Sequence, residues 1–410
     1  MSISVSIFET PVNAVYGAAY SANMIHDANR LALLLADIRT FVRERWHPLE
    51  DEVDRSGTIP QALVDELRRK GYFGWSIPLA YGGLGLTTEE LVLCAMELSQ
   101  ASVALRARVG TNTGIGSEAL VADGTDAQRA LWLPRMARGE LTGCLALTEP
   151  EAGSEASNIQ TTARREGSDY VLNGVKRFIT NAPIAGLFTV IARTGEATQG
   201  QAGLTAFLVE RGPGLRTGEP YRKMGQAGSP VSDVYFDDCR VPAGNVIGEK
   251  EGVGFTTVMK VLNKQRLHLA ALCTGPAIRM LDLAVSHAAR RRQFGQAVAS
   301  FQLVQAMIAD CRTEIFAARS MILEAARARD RGEDVALSAS MCKYYASEMC
   351  GRVADRCVQI FGGSGYVADF SPIERYYRDV RLFRLYEGTS QIHQLNIAKL
   401  TLREHERGLE

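Results

Sequence analysis

What this 410-residue sequence lacks narrows its function before any motif is considered. Its eight cysteines include no CxxC pair and its six histidines no HExxH, so neither a zinc site nor a disulfide framework is suggested. The thiols read as reduced and mostly packed, and no metal is expected. Charge of one sign is not in excess: Lys plus Arg and Asp plus Glu number 46 each, and no basic tract addresses nucleic acid or an anionic membrane. The stretch MSISVSIFETPVNAVYGAAY has no basic n-region and no continuous apolar segment, and the longest apolar run, near LALLLADI, is far too short to cross a bilayer. These absences lead to the expectation of a soluble, cytoplasmic protein whose partner is a small molecule.

What is present is enough apolar material, 46% of the residues, to bury a large core divided over two or three domains. Between about residues 28 and 140, LALLLADIRTFVRERW and PQALVDELRRKGYFG repeat apolar residues at spacings of three and four, which predicts an all-α domain over 1–143. After Gly143 the pattern changes. SDYVLNGVKRFIT holds two β-rich runs around Asn173-Gly174, a pair suited to a type I′ hairpin turn, and GLTAFLVERG and VSDVYFDDCRVP are further strand candidates. A middle antiparallel β domain is expected over 144–253. From Gly254 helices return, giving a C-terminal four-helix-bundle domain over 254–410. There Met341, Tyr345, Met349, Val353 and Cys357 recur every four residues, the mark of a packed face and only rarely of a soft-metal site. The fold class is therefore α+β and multidomain, in the order α, β, α.

Five segments carry chemistry. LTEPEAGSE begins the β domain, with Thr148, Gly153 and Ser154 offering hydroxyls and close backbone approach. RFITN (177–181), RRRQFGQAVASFQ (290–302), QIFGGSGY (359–366) and YEGTSQ (386–391) follow. In this order and spacing the set resembles the acyl-CoA dehydrogenase family, over nearly the whole chain after residue 30. The family's first signature usually ends in Asp where Glu155 stands here, and many relatives carry Trp at the position of Phe178.

The resemblance implies bound FAD. Leu147 and Thr148 would present backbone and hydroxyl groups to the flavin, and Phe178 and Thr180 would flank its ring. Arg291 and Gln293 would take the diphosphate and a neighbouring ribose, since a guanidinium fork matches phosphate oxygens. Gln359, Gly362 and Gly363 would reach the cofactor of a neighbouring subunit in a homotetramer. The same resemblance adds Gly153, Ser154, Ile179, Phe294, Gln302, Thr389 and Gln391 to the cofactor shell.

By the same resemblance Glu387 stands at the family's usual base position; some relatives place the base instead on an earlier helix, at the position held here by Gln265, which cannot accept a proton. Removing an α-proton from a thioester requires such a carboxylate in a dry pocket, where its proton affinity rises. Gly388 beside it leaves room for the thioester, whose carbonyl oxygen would bond the Glu387 N–H. Asn263 and Arg266, three apart on one helix, match a CoA-contacting pair, and Ser154 is placed on the pantetheine side. Arg106 falls near the position where glutaryl-CoA dehydrogenases carry a carboxylate-binding arginine, so it is expected to face a polar or carboxylated acyl tail, with Arg108 pointing elsewhere. His268 and His393 are expected to be structural. The implied function is FAD-dependent α,β-dehydrogenation of an acyl-CoA, with electrons passed to electron-transfer flavoprotein or a similar acceptor. An acyl-CoA oxidase, a flavin-dependent monooxygenase and a non-enzymatic flavin-binding protein are the alternatives on the same fold.

Overall fold

The computed structural model describes residues 25–408. Seven helices come first: α1 Ala28–Thr40, α2 Glu50–Ser56, α3 Gln61–Arg69, α4 Thr88–Leu98, α5 Val103–Gly110, α6 Glu118–Asp123 and α7 Asp126–Ala137. Their starts are written in the sequence. Asp27 accepts from the N–H groups of Asn29 and Arg30 ahead of α1, and Thr87/Glu90 and Thr125/Gln128 form reciprocal capping boxes on α4 and α7. Trp46, Tyr72, Phe73 and Trp75 are fully buried, each such side chain contributing on the order of 1.5–3 kcal/mol of hydrophobic stabilisation.

The middle region is a seven-stranded sheet of β1 Gly143–Ala146, β2 Thr162–Glu166, β3 Asp169–Thr180, β4 Leu187–Arg193, β5 Leu204–Glu210, β6 Leu215–Thr217 and β7 Val231–Pro242. Its order is β1-β4-β2-β3-β7-β6, with β5 on β4. The pairings are antiparallel except where β4 meets β1 and the end of β2. Asn173-Gly174 is not the turn that the sequence suggested. The β2–β3 hairpin closes two residues apart between Glu166 and Asp169, with Gly167 at φ +64°. Asn173-Gly174 lies inside β3 at a register shift against β7, where the Asn173 side chain bonds Asp238 in both directions, at 2.9 and 2.8 Å. Positive-φ tolerance was used for a bulge, not for a hairpin.

The C-terminal region holds α8 Gly254–Arg290, α9 Gln302–Asp330, α10 Ala336–Phe361, the short α11 Gly363–Tyr366, α12 Ile373–Val380 and α13 Ser390–Glu406. Helices α8, α9, α10 and α13 make the bundle. By length and composition α8 could cross a membrane, contrary to the reading of the sequence, but 72% of its apolar window is buried inside the protein, as befits a central core helix. On α10, Met349, Val353 and Cys357 are buried, Tyr345 packs against the core and Met341 is the exposed end of the stripe. All eight cysteines are buried free thiols.

Side chains far apart in sequence join the three regions. Asp330 accepts from the N–H groups of Thr88 and Glu89 at 2.8 Å each, tying α9 to α4. Asn181, just after β3, donates to Ala107 O and Thr111 Oγ1 on and beside α5. The loop between β6 and β7 reaches α12, where Asp379 accepts from the Gln226 N–H and the Gln226 amide donates to the Asp379 carbonyl at 3.0 Å.

Candidate active site

Glu387 sits in the short loop between the turn Arg381–Arg384 and α13, and both it and Gly388 have positive φ, +53° and +93°. A left-handed glutamate is strained and persists only where its surroundings hold it. Three bonds do so here. Lys343 Nζ donates to Gly388 O at 2.6 Å, His393 Nε2–H donates to Glu387 O at 3.2 Å, and Thr389 caps α13 by accepting from the Ile392 N–H. A Cβ on Gly388 would come within 2.9 Å of the His393 ring, so glycine is required there on two counts. Burial drives the pKa of His393 down to about 3, so its ring is neutral.

The carboxyl of Glu387 is incompletely satisfied. Its Oε2 is out of contact with solvent and has no hydrogen-bond partner, and desolvation raises its pKa to about 7 against the pull of Lys343, Arg106 and Arg266. Although part of the residue touches solvent, the oxygen atoms govern its proton affinity, and Oε2 is dry. The Glu387 backbone N–H makes no main-chain hydrogen bond among the described residues.

Arg106 is buried beside this loop with its Nη2 2.6 Å from His268 Nε2, while His268 Nδ1 lies 3.3 Å from Gln265 Oε1. Burial, then Arg106, hold His268 far below its usual pKa, so the neutral ring accepts from Arg106 and donates to Gln265. Burial lowers Arg106 to about 10, leaving it a cation at neutral pH. Arg108 does point elsewhere, as its spacing predicts, yet it too is buried. Its guanidinium lies over Phe73 and bonds Thr142 Oγ1 at 3.2 Å. Arg266 is buried as well, and its Nη1 donates to Asn263 Oδ1 at 2.7 Å, which excludes an ordinary surface role for that pair. The Nε atoms of Arg106 and Arg266 are buried without partners.

The residues expected to hold the cofactor fall into two groups. In the sheet, a second register shift between Lys176 and Ile179 gives Phe178 φ +60° and turns its ring outward, 62% exposed and 5.6 Å from Tyr221. Ile179 instead packs in the sheet core, so only its main chain is available to a ligand. Leu147 and Thr148 are fastened beside this bulge: Thr148 O accepts from the Arg177 N–H at 2.7 Å, and buried Lys176 donates to Leu147 O at 3.1 Å and to Glu149 at 2.7 Å. Gly153 and Ser154 are exposed on the same loop.

The second group lines a cavity of about 590 Å³ at the end of the bundle, where Arg291, Gln293, Gln359, Gly362 and Gly363 meet. Arg291 and Gln293, expected on the chain's own cofactor, and Gln359, Gly362 and Gly363, expected on a neighbour's, line the same cavity. Phe294, 92% exposed, and Gln302 lie outside the lining, as do Thr389, spent on capping, and exposed Gln391. The donors present suit a dinucleotide: a guanidinium, two amides, and two glycines where an added Cβ would meet only open space, so that a diphosphate can approach the backbone. No residue of the sheet group lines this cavity.

Sequence reasoning missed Lys343 and the Lys176–Glu149 pair. For Lys343 the signal was its register, four residues after Ala339 and three before Ala346 on the inward face of α10.

The chain matches the acyl-CoA dehydrogenase N-terminal domain over residues 30–140, the middle domain over 144–239 and the C-terminal domain over 252–402. The 3-(aryl)acrylate reductase of Clostridium sporogenes is 40% identical over 367 residues, covering 89% of this chain and 96% of that protein. Subunit CarC of the caffeyl-CoA reductase-Etf complex of Acetobacterium woodii is 38% identical over 355 residues, 86% and 93% of the two chains. The structure of butyryl-CoA dehydrogenase from Megasphaera elsdenii aligns with a TM-score of 0.88 at 32% identity, over 94% of this chain and all of that one. With all three domains matched in order, the chain belongs to the acyl-CoA dehydrogenase family of FAD-dependent oxidoreductases.

Proposed function

We propose that this protein interconverts an acyl-CoA thioester and its trans-2-enoyl counterpart, with Glu387 moving the α-proton. The observation that carries this reading is the dry, unpartnered Glu387 Oε2 with its pKa raised to about 7. A carboxylate so placed has the proton affinity that abstraction from a polarised α-carbon demands. FAD, when bound, supplies the acceptor for the β-hydride. The free N–H of Glu387 is a donor for the thioester oxygen, and its bond strengthens as negative charge grows there. Because Glu387 titrates near neutrality, its protonated form equally suits delivery of a proton to the α-carbon. The names of the reductases at 40% and 38% identity favour that reverse direction as a second reading.

Electron-transfer flavoprotein is the proposed carrier, in keeping with the Etf complex to which the Acetobacterium relative belongs. A homotetramer is proposed, supported by the absence of the sheet group from the bundle cavity, which a second chain could complete. Arg106 is proposed to meet a polar or carboxylated acyl tail, since it is a buried cation with an orphaned Nε and no carboxylate within 4.0 Å among the described residues.

An anaerobic absorbance titration of the holoenzyme with butyryl-, octanoyl-, glutaryl- and aryl-acyl-CoAs tests the reading, with Glu387→Gln in parallel. The flavin band should bleach in the parent and not in the variant. Equal bleaching removes Glu387 from the base role, and a glutaryl-CoA that leaves the parent unchanged removes the carboxylated tail.

A further inference from the structure

On the inward face of α10, among Ala339, Cys342, Ala346 and Met349, stands one lysine, Lys343, with no exposed surface. It makes no ion pair within 4.0 Å among the described residues, and its one hydrogen bond is the 2.6 Å donation to Gly388 O. An ammonium has three donors, and a buried one without charge compensation is costly enough that side chains of this kind are rarely kept without a task. The titratable and charged groups that face it are Cys273 and Arg266 on α8, Glu348 on its own helix, Glu387, and on α13 His393, whose ring is neutral. Burial keeps Cys273 a neutral thiol, Arg266 is itself a cation, and Glu348 is engaged by Ser390 at 2.5 Å and Arg384 at 3.4 Å. Glu387 is the one remaining negative charge in that set.

Seen from Glu387, three cations face the carboxyl: Lys343 on α10, Arg106 on α5 and Arg266 on α8. Arg106 is bonded to His268, and Arg266 to Asn263 and Ser340. Lys343 differs from both because its single bond goes to the base's own loop.

We propose that Lys343 is the positioning residue of the base: its ammonium holds the Gly388 carbonyl, and with it the left-handed turn, and supplies positive charge that favours the ionised form of Glu387. The proposal rests on the reading of Glu387 as the group that takes the α-proton. In the forward step the Cα–H bond breaks, the proton passes to Glu387 Oε2, the electron pair stays on the α-carbon and is drawn towards the thioester oxygen, and Lys343 keeps all of its own protons. The fixed charge lowers the carboxylate's energy before transfer and is left facing a neutral acid after it, so removing the charge makes Glu387 bind its proton more tightly.

The test compares holoenzymes of the parent, Lys343→Met, Lys343→Gln, Lys343→Arg and Glu387→Gln by two readouts. One is the pH midpoint of flavin bleaching by saturating acyl-CoA in single turnover. The other is the titration, without substrate, of the infrared carboxylic C=O band that Glu387→Gln lacks. Met and Gln should raise both midpoints by about one pH unit or more, slowing bleaching at pH 7 by roughly fivefold, and Arg should restore them. Gln retains a donor for Gly388 O, so it separates charge from hydrogen bonding and carries the test if Met fails to fold. Midpoints in Lys343→Gln equal to those of the parent, with Glu387→Gln inert, overturn the role of Lys343 alone. Bleaching by Glu387→Gln at the parent's rate overturns the base assignment, and the proposal with it.

Discussion

A glutamate whose proton affinity rises on folding makes stability depend on pH in a definite direction. Below its ordinary pKa Glu387 is protonated in both folded and unfolded chains. Between that value and about 7 the unfolded chain ionises while the folded one keeps its proton, so stability falls as pH rises through this window and levels off above it. Glu387→Gln abolishes that loss. The variant should melt about 2–4 °C or more above the parent at pH 8, and the gap should close towards pH 5, as read by calorimetry of matched holoenzymes. A constant gap would mean that Glu387 does not titrate as described. The role proposed for Glu387 was legible because a motif of fixed spacing carried it. Lys343 was not, because in SASMCKYYASEMC a lysine reads as a solvated side chain until the helix register is known. Arg106 and Arg108 show a related limit: spacing separated their directions, but both ends are buried, one on an imidazole and the other on an aromatic ring.

At the level of elements, two register shifts in β3 shape the side of the sheet proposed to face the flavin, and a buried ion pair holds the neighbouring loop against it. Lys176 and Glu149 are 0% and 4% exposed and 2.7 Å apart, with Glu149 also accepting from the Gln160 and Thr161 N–H groups at 2.6 and 3.0 Å. Lys176→Met leaves the carboxylate unpaired in the core, a change that costs about 3–5 kcal/mol where buried pairs are broken. It should also weaken retention of FAD, because Leu147 O loses its donor. Urea midpoints and the fluorescence of released flavin measure the two effects separately, and unchanged flavin affinity in a destabilised variant would limit the pair to a structural role. The strands themselves were readable from their β-branched runs. Bulges were not, since Asn-Gly announces a positive φ without saying whether the chain reverses there or merely gains a residue.

Across the whole molecule, the succession of helices, sheet and helices could be read from the change of pattern near Gly143 and Gly254. The joints between them could not, because contacts such as Gln226 with Asp379 link loops with no shared periodicity. The two cofactor-binding groups lead to a prediction at this scale. Co-expressed Arg291→Ala and Glu387→Gln chains should regain activity that neither has alone, since a mixed pair leaves one intact site, and random pairing restores roughly a quarter of all sites. No recovery in confirmed mixed oligomers would place each cofactor within a single chain. The burial of every cysteine has a consequence of another kind. With thiols on α4, β1, β7, α8, α9 and α10, each region carries its own internal reporter, so the order in which an alkylating reagent marks them traces how the protein comes apart, without any label being introduced.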